Sequence, residues 1–326
     1  MLAPLLFLLY INDLPSRVRS KVKLYADDVL LYSYIKSETD CQALQEDLDA
    51  LAQCTRIWQM EFNPSKCEFL RITNKKNPVV FNYCIEAVPI VQVAHTKYLD
   101  TTISSNLSWN EHIQRIINKA KQVNNFLYRN LREYPTHIKC NCYKIMVCPI
   151  IEYAASAWDS HTLLNIIKLE SIQRTAARFC FNDFSRYSSV TNMLSSLNLP
   201  LLQARRIQAN LSTFYKIING YLIVPTDDLT PKLSSLRSGY YHQPMTLIDA
   251  NKFSFFPSAI KLWNQLPADV INSSTPNEFC NNLRFCKYLH LYTYRTKTTE
   301  PTEQRIEEKK EEGLRQPRGV PPPVSG

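Results

Sequence analysis

The stretch that decides the fold is Val22-Lys23-Leu24-Tyr25-Ala26-Asp27-Asp28-Val29-Leu30-Leu31, where two adjacent carboxylates lie between two short apolar runs. Runs of this length on both sides of turn-forming residues predict two strands, at about 21–25 and 29–34, with the aspartates at their turn. Neighbouring carboxylates attract a cation, and two-metal phosphoryl transfer needs carboxylates that hold divalent ions. A plain surface turn is the alternative interpretation, because Asp is common in turns.

Composition and charge indicate a globular chain with a polyanionic partner. The chain has 326 residues and 45% hydrophobic content, enough for at least one buried core and two domains. Its net charge of +9 predicts a surface that attracts nucleic acid or anionic lipid. The excess is concentrated between His112 and Lys216, which contain fourteen Lys and Arg against five Asp and Glu. Ten irregularly spaced cysteines predict a reducing compartment, in the cytoplasm and nucleus, with mostly buried thiols.

Two further features argue against other classes of protein. The apolar run from Leu2 to Ile11 is too short to span a bilayer and lacks the basic start and cleavage site of a signal peptide, so we expect a buried helix and no membrane partner. All five glycines lie at Gly220 or later. The first 219 residues therefore contain no Gly-rich phosphate cradle.

Hydrophobic periodicity predicts an α+β unit followed by helices. A helix is expected from Ser37 to Met60, then strands at 67–73 and 97–103 on either side of a hairpin that pairs 79–83 with 85–91. Beyond Ser108, which can cap a helix with Glu111 three residues later, the period is helical. Further helices are predicted at about 137–157, 163–181, 188–197 and 201–218.

Several segments, taken in order, resemble the second half of the palm of a non-LTR retrotransposon reverse transcriptase of the jockey or chicken-repeat type. They are Leu2–Leu14 with Tyr25–Asp28, Asn63–Cys67, Thr96–Leu99 with Leu107–Ile113, Ile151–Ala154, Gln173–Arg178 and Phe255–Pro267. The resemblance implies an α+β fold, in which an incomplete palm of antiparallel sheet plus helix precedes an α-helical thumb and a helical carboxy-terminal domain.

The resemblance also implies roles for particular residues and partners. Asp27 would bind two catalytic Mg²⁺ ions with Asp28 supporting the site, and Lys66 would lie near the incoming triphosphate. The implied partners are an RNA template, a DNA primer and deoxynucleoside triphosphates. Nucleic acid would be contacted by the primer-gripping segment and by basic residues of the thumb, namely Tyr98, Leu99, Lys119, Arg174 and Arg178.

This sequence also departs from the family. A further palm aspartate is expected upstream of the first helix and is not in this sequence, so we expect the chain alone to be inactive. Ala3 and Asp100 occupy positions where the family usually has glycine, and a charge at Asp100 within a strand indicates a decayed copy. A non-catalytic nucleic-acid-binding remnant and a helical scaffold that binds only protein stay open.

The predicted organisation has five parts. They are a palm segment at 1–106, a thumb or connection at 107–222, a linker at 223–250, a family-specific segment at 251–292 and a disordered charged tail at 293–326. Cys280, Cys286 and His290 offer three zinc ligands, but a structural zinc site normally has four at tighter spacing. Packed cysteines are the expected interpretation.

Overall fold

The computed structural model describes residues 2–224, 229, 239–246 and 248–285. The chain divides between Glu111 and His112 into two compact units. The predicted tail at 293–326, and Cys286 and His290 of the zinc alternative, lie outside the described residues, as does part of the predicted linker.

The first unit combines one long helix with short strands. Its elements are α1 Ala3–Ile11, a 3-10 turn Leu14–Arg17, β1 Lys21–Tyr25, β2 Asp28–Tyr32, α2 Glu38–Ile57, a 3-10 turn Pro64–Lys66, β3 Glu68–Leu70, β4 Cys84–Ile85, β5 Val88–Pro89, β6 Val91–Val93, β7 His95–Tyr98 and β8 Thr101–Ser104. In the described residues these strands form four two-stranded sheets, and β3 with β6 is the parallel pair.

Helix α2 organises the first unit through its ends and its polar side chains. Ser37 and Asp40 form a capping box that satisfies N–H groups of the first turn. Farther along, the buried Asp47 carboxylate accepts hydrogen bonds from the backbone N–H groups of Arg19, at 3.0 Å, and Ser20, at 2.8 Å. These bonds attach the segment that leads into β1 to the helix.

Two predicted strand segments of this unit were wrong. The single strand expected at 97–103 is the hairpin β7–β8, because Leu99 and Asp100 adopt left-handed backbone with φ of 46° and 57°. Asp100 therefore lies in a turn, where a short polar side chain tolerates this conformation, and not within a strand. The predicted pairing of 79–83 with 85–91 was also wrong, because residues 79–83 form no strand and the hairpin pairs β4 with β5 through the turn residues Glu86 and Ala87.

The second unit is helical. Its described helices are α3 Asn110–Leu131, α4 Thr136–Met146, α5 Cys148–Glu152, α6 Ala155–Trp158, α7 Leu163–Phe181, α8 Val190–Ser196, α9 Leu202–Ile218, α10 Asp249–Lys252, α11 Phe255–Trp263, α12 Ala268–Ile271 and α13 Pro276–Phe285. The helix predicted at 137–157 is three helices, because Pro149 lacks an N–H and Ala154 is left-handed with φ of 51°.

Stacked aromatic rings tie the last helices to α9. The ring of Tyr215 stacks on Phe279 at 4.5 Å, and Trp263 stacks on Phe279 at 5.6 Å. All three side chains are almost fully buried. The described part of the predicted family-specific segment at 251–292 therefore packs with α9 in one hydrophobic core.

Candidate functional site

The hairpin β1–β2 presents the two aspartates at its tip. Tyr25 pairs with Asp28, so the central turn residues are Ala26, with φ of 51°, and Asp27. Asp28 closes the turn and is also the first residue of β2, so this strand begins one residue before the predicted start at residue 29. Both aspartates are exposed. The turn therefore offers two neighbouring carboxylates to solvent.

The charge of Asp28 acts on Tyr98 although the two residues belong to different hairpins. Burial raises the pKa of Tyr98, and the negative charge of Asp28 raises that pKa further. This interaction requires the carboxylate to lie near the phenol, since charges act on a pKa over short distances. Leu99 follows Tyr98 in the β7–β8 turn and is half-buried. Two of the predicted site residues are thus close in space.

Lys66 is held by a local turn. It ends the 3-10 turn Pro64–Lys66, where the Asn63 side chain accepts a hydrogen bond from the backbone N–H of Ser65 at 3.1 Å. The Lys66 side chain is exposed. Among the described residues no ion pair joins Lys66 to either aspartate, so the structure does not bring this lysine into contact with the turn.

The chemistry of the turn fits part of a magnesium site. Carboxylate oxygens are suitable ligands, and Mg²⁺ commonly uses one or two of them together with substrate phosphate oxygens and water. Within the described ranges, no group of three or more His, Cys, Asp or Glu side chains could hold a metal ion. Asp27 and Asp28 therefore fit a magnesium ion chemically as two ligands of a set that needs others.

The three basic residues expected to contact nucleic acid have different surroundings. Lys119 is exposed on α3. Arg174 is half-buried on α7, one turn after Glu170. Burial raises the pKa of Glu170, and the positive charge of Arg174 opposes this rise. Arg178 Nη1 donates to the carbonyl oxygens of Ser185, at 2.7 Å, and Asp183, at 3.4 Å. Arg178 thus supports the loop after α7 as well as carrying charge.

Several other cations of this region are internal. Lys139 is 1% exposed and Arg206 is 2% exposed. Arg206 Nε pairs with Asp159 at 3.0 Å, and burial raises the pKa of Asp159 against the opposing charge of Arg206. Composition could not separate these cations from surface ones, although Leu202, Arg206 and Asn210 recur every four residues on one helical face. The concentration of basic residues therefore overstates the charge available to a partner.

In the part of the chain that the structure describes, no helix combines the length and the apolar character needed to cross a membrane. This includes α1, which is nine residues long.

Comparison with known proteins adds a family match. Residues 1–103 match the family described as reverse transcriptase (RNA-dependent DNA polymerase). Two curated Drosophila melanogaster relatives are similar. One, named as the probable RNA-directed DNA polymerase from transposon X-element, is 27% identical over 188 residues, which cover 54% of this chain and 20% of the relative. The other, from transposon BS, is 28% identical over 211 residues, covering 61% and 23% respectively.

The chain therefore spans about a fifth of the length of the relatives it matches. No solved structure matches it significantly. The resemblance to a retrotransposon reverse transcriptase is confirmed, whereas the jockey or chicken-repeat subtype stays a prediction.

Proposed function

We propose that this chain, whose first 103 residues match the reverse transcriptase family, is the carboxy-terminal part of an RNA-directed DNA polymerase. The reaction would add deoxynucleoside triphosphates to a DNA primer on an RNA template, inside the cell. The observation that carries the proposal is the hairpin tip, where Asp27 and Asp28 are adjacent and exposed within the matched segment.

Each predicted residue has a role in this proposal. Asp27 and Asp28 would hold magnesium, and the ions supply charge stabilisation at the transferred phosphoryl group when bound. Lys66 would place a positive charge near the triphosphate. The palm at 1–106 would contact the primer through Tyr98 and Leu99. The helical thumb at 107–222 would contact the nucleic-acid backbone through Lys119, Arg174 and Arg178.

A second candidate is a nucleic-acid-binding remnant without catalysis. One observation favours it: among the described residues, no third His, Cys, Asp or Glu joins Asp27 and Asp28 in a metal-holding group. Since catalytic groups act as a unit, two carboxylates alone would leave little rate. Binding by such a remnant would weaken steeply with salt and would not change in Asp27→Asn.

The test is a chimaera in which residues 1–103 replace the matching segment of an active reverse transcriptase. We expect magnesium-dependent primer extension that Asp27→Asn abolishes. The matched control is Glu61→Gln, which removes an exposed carboxylate of the same unit and should leave extension unchanged. A folded chimaera that carries Asp27→Asn and still extends primers equally well would refute the catalytic proposal.

The isolated chain tests whether these residues are active without the rest of a polymerase. We expect it to bind primer–template and to extend nothing, since it offers two of the needed carboxylates. Extension by the isolated chain, abolished in Asp27→Asn, would show that the described carboxylates suffice.

A further inference from the structure

A groove of about 460 Å³ opens on the helical unit between α4, the end of α7 and the end of α8. Its volume lies in the range of small-molecule sites, which is roughly 300–1,000 Å³. The polar wall is one face of α4, because His137, Asn141 and Lys144 recur there at spacings of four and three residues. The lining includes Thr136, His137, Asn141, Lys144, Phe181 and Leu197.

The apolar wall of this groove is held in place without a ligand. Phe181 is the last residue of α7, and its side chain is 39% exposed. The next residue, Asn182, is left-handed with φ of 53°, and its Nδ2 donates to the carbonyl oxygen of Arg132 at 3.2 Å. Asn182 Oδ1 accepts from the buried Lys139 ammonium at 2.9 Å. The backbone beside Phe181 is thus fixed, so the ring remains available at the surface.

Exposed aromatic rings continue beyond the groove along the loop after α7. Phe184 is 53% exposed and meets Tyr128 of α3 edge-to-face, with ring centroids 6.0 Å apart. Tyr187 is fully exposed, beside the exposed Arg186. The loop is supported by the bond from Arg178 to the carbonyl oxygen of Ser185. We call Phe184, Arg186 and Tyr187 the aromatic rim.

The charge around the groove selects the kind of partner. Lys144 is exposed in the lining, and within the described part of the chain no carboxylate lines the groove. A positive charge together with exposed aromatic rings is the usual arrangement for binding single strands, because the charge attracts the phosphate backbone and every base has a face that stacks. A protein helix would instead need a continuous apolar seam, and the α4 face is polar at three of its positions.

We propose that the groove and the aromatic rim bind single-stranded nucleic acid. One base stacks on Phe181, with Asn141 and His137 at its polar edge and Lys144 at the phosphate, and the next bases lie on the rim. This inference rests on the proposed function for its partner class, but it concerns a site in the helical unit that is separate from the Tyr25–Asp28 turn.

The test uses the whole chain and a fluorescein-labelled, unstructured 12-nucleotide RNA, with anisotropy measured over a range of salt concentrations. Phe181→Ala and Tyr187→Ala should each raise Kd about tenfold, the effect expected for loss of one base–aromatic stack. Lys144→Gln should reduce the slope of log K against log salt by about 0.7, as for one lost phosphate contact.

Matched controls lie on the same helices outside the lining. Ile145→Ala removes a 73% exposed side chain of α4, and Lys168→Gln removes an exposed charge of α7. Ile145→Ala should leave the Kd unchanged. In a chain that carries Lys168→Gln, Phe181→Ala should still raise the Kd about tenfold. Glu61→Gln, in the first unit, should also bind the RNA normally. If Phe181→Ala proves unfolded by circular dichroism, Tyr187→Ala and Lys144→Gln decide the matter, because both side chains are exposed.

The outcomes separate this inference from the proposed function. Normal RNA binding by the groove variants would overturn the groove assignment and leave a nucleic-acid-binding chain. Absence of RNA binding together with an active chimaera would overturn the groove and leave the polymerase proposal. Absence of both would overturn both proposals.

Discussion

Substitution of Ala26, at the tip of the β1–β2 hairpin, by glycine should stabilise the hairpin. The first 219 residues contain no glycine, yet ten of them have positive φ. Ala26, with φ of 51°, and Ala87, with φ of 64°, are exposed alanines in two-residue turns. Each alanine therefore has a strained backbone, and its exposed side chain contributes no burial energy to offset the strain.

The expected magnitude follows from two opposing contributions. Left-handed backbone costs a residue with a Cβ atom roughly 1–2 kcal/mol, which glycine avoids. Glycine loses more chain entropy on folding, by about 0.5–1 kcal/mol relative to alanine. Taking the middle of each range, the net stabilisation of the hairpin in Ala26→Gly is about 0.5–1 kcal/mol, which lowers the equilibrium constant for hairpin opening roughly two- to fivefold. Ala87→Gly should act similarly on β4–β5.

Amide hydrogen exchange measured by mass spectrometry can resolve this effect. Peptides that cover 21–32 should exchange about two- to fivefold more slowly in Ala26→Gly, and those around 84–89 should respond to Ala87→Gly. Ala50→Gly, inside α2, is the control of opposite sign: it should destabilise that helix by about 1 kcal/mol and so accelerate its exchange roughly fivefold. Faster exchange of 21–32 in Ala26→Gly would refute the reasoning about strain.

Two further predictions concern titrating groups of the first unit. Burial by itself raises the pKa of Asp47, but hydrogen bonds from Ser20 and Arg19 outweigh burial and hold the pKa below the usual 3.8. The carboxylate therefore stabilises the folded state above pH 3.8, and this stabilisation is lost as pH falls through the lower pKa of the folded state. Asp47→Asn should therefore lower the free energy of unfolding by about 1–3 kcal/mol at pH 7 and by much less in acid, and equal losses in urea denaturation at both pH values would contradict this. Asp28→Asn should lower the pKa of Tyr98, measured without Mg²⁺ by NMR of ¹³C-labelled tyrosine; no change in that pKa would mean that the two side chains are not neighbours.

Local patterns were sufficient where a structural element depends on its own residues. The limits of α7, Leu163–Phe181, agree with prediction because apolar residues recur along the whole helix. The start of α2 also agrees, since Ser37 and Asp40 complete a capping box within one turn. The β7–β8 hairpin was missed because its turn residues, Leu99 and Asp100, include no glycine or asparagine to mark it.

The sequence alone indicated the resemblance of residues 1–103 to reverse transcriptases and the pair of carboxylates at the candidate turn. Asp27 and Asp28 are adjacent in the chain, so no tertiary contact is needed to place two carboxylates together. Which cations face solvent was decided only by the tertiary structure, because Lys139 meets Asn182 across 43 positions of the chain and Arg206 meets Asp159 across 47. The groove beside Phe181 arises in the same way, since helices distant in sequence form its walls.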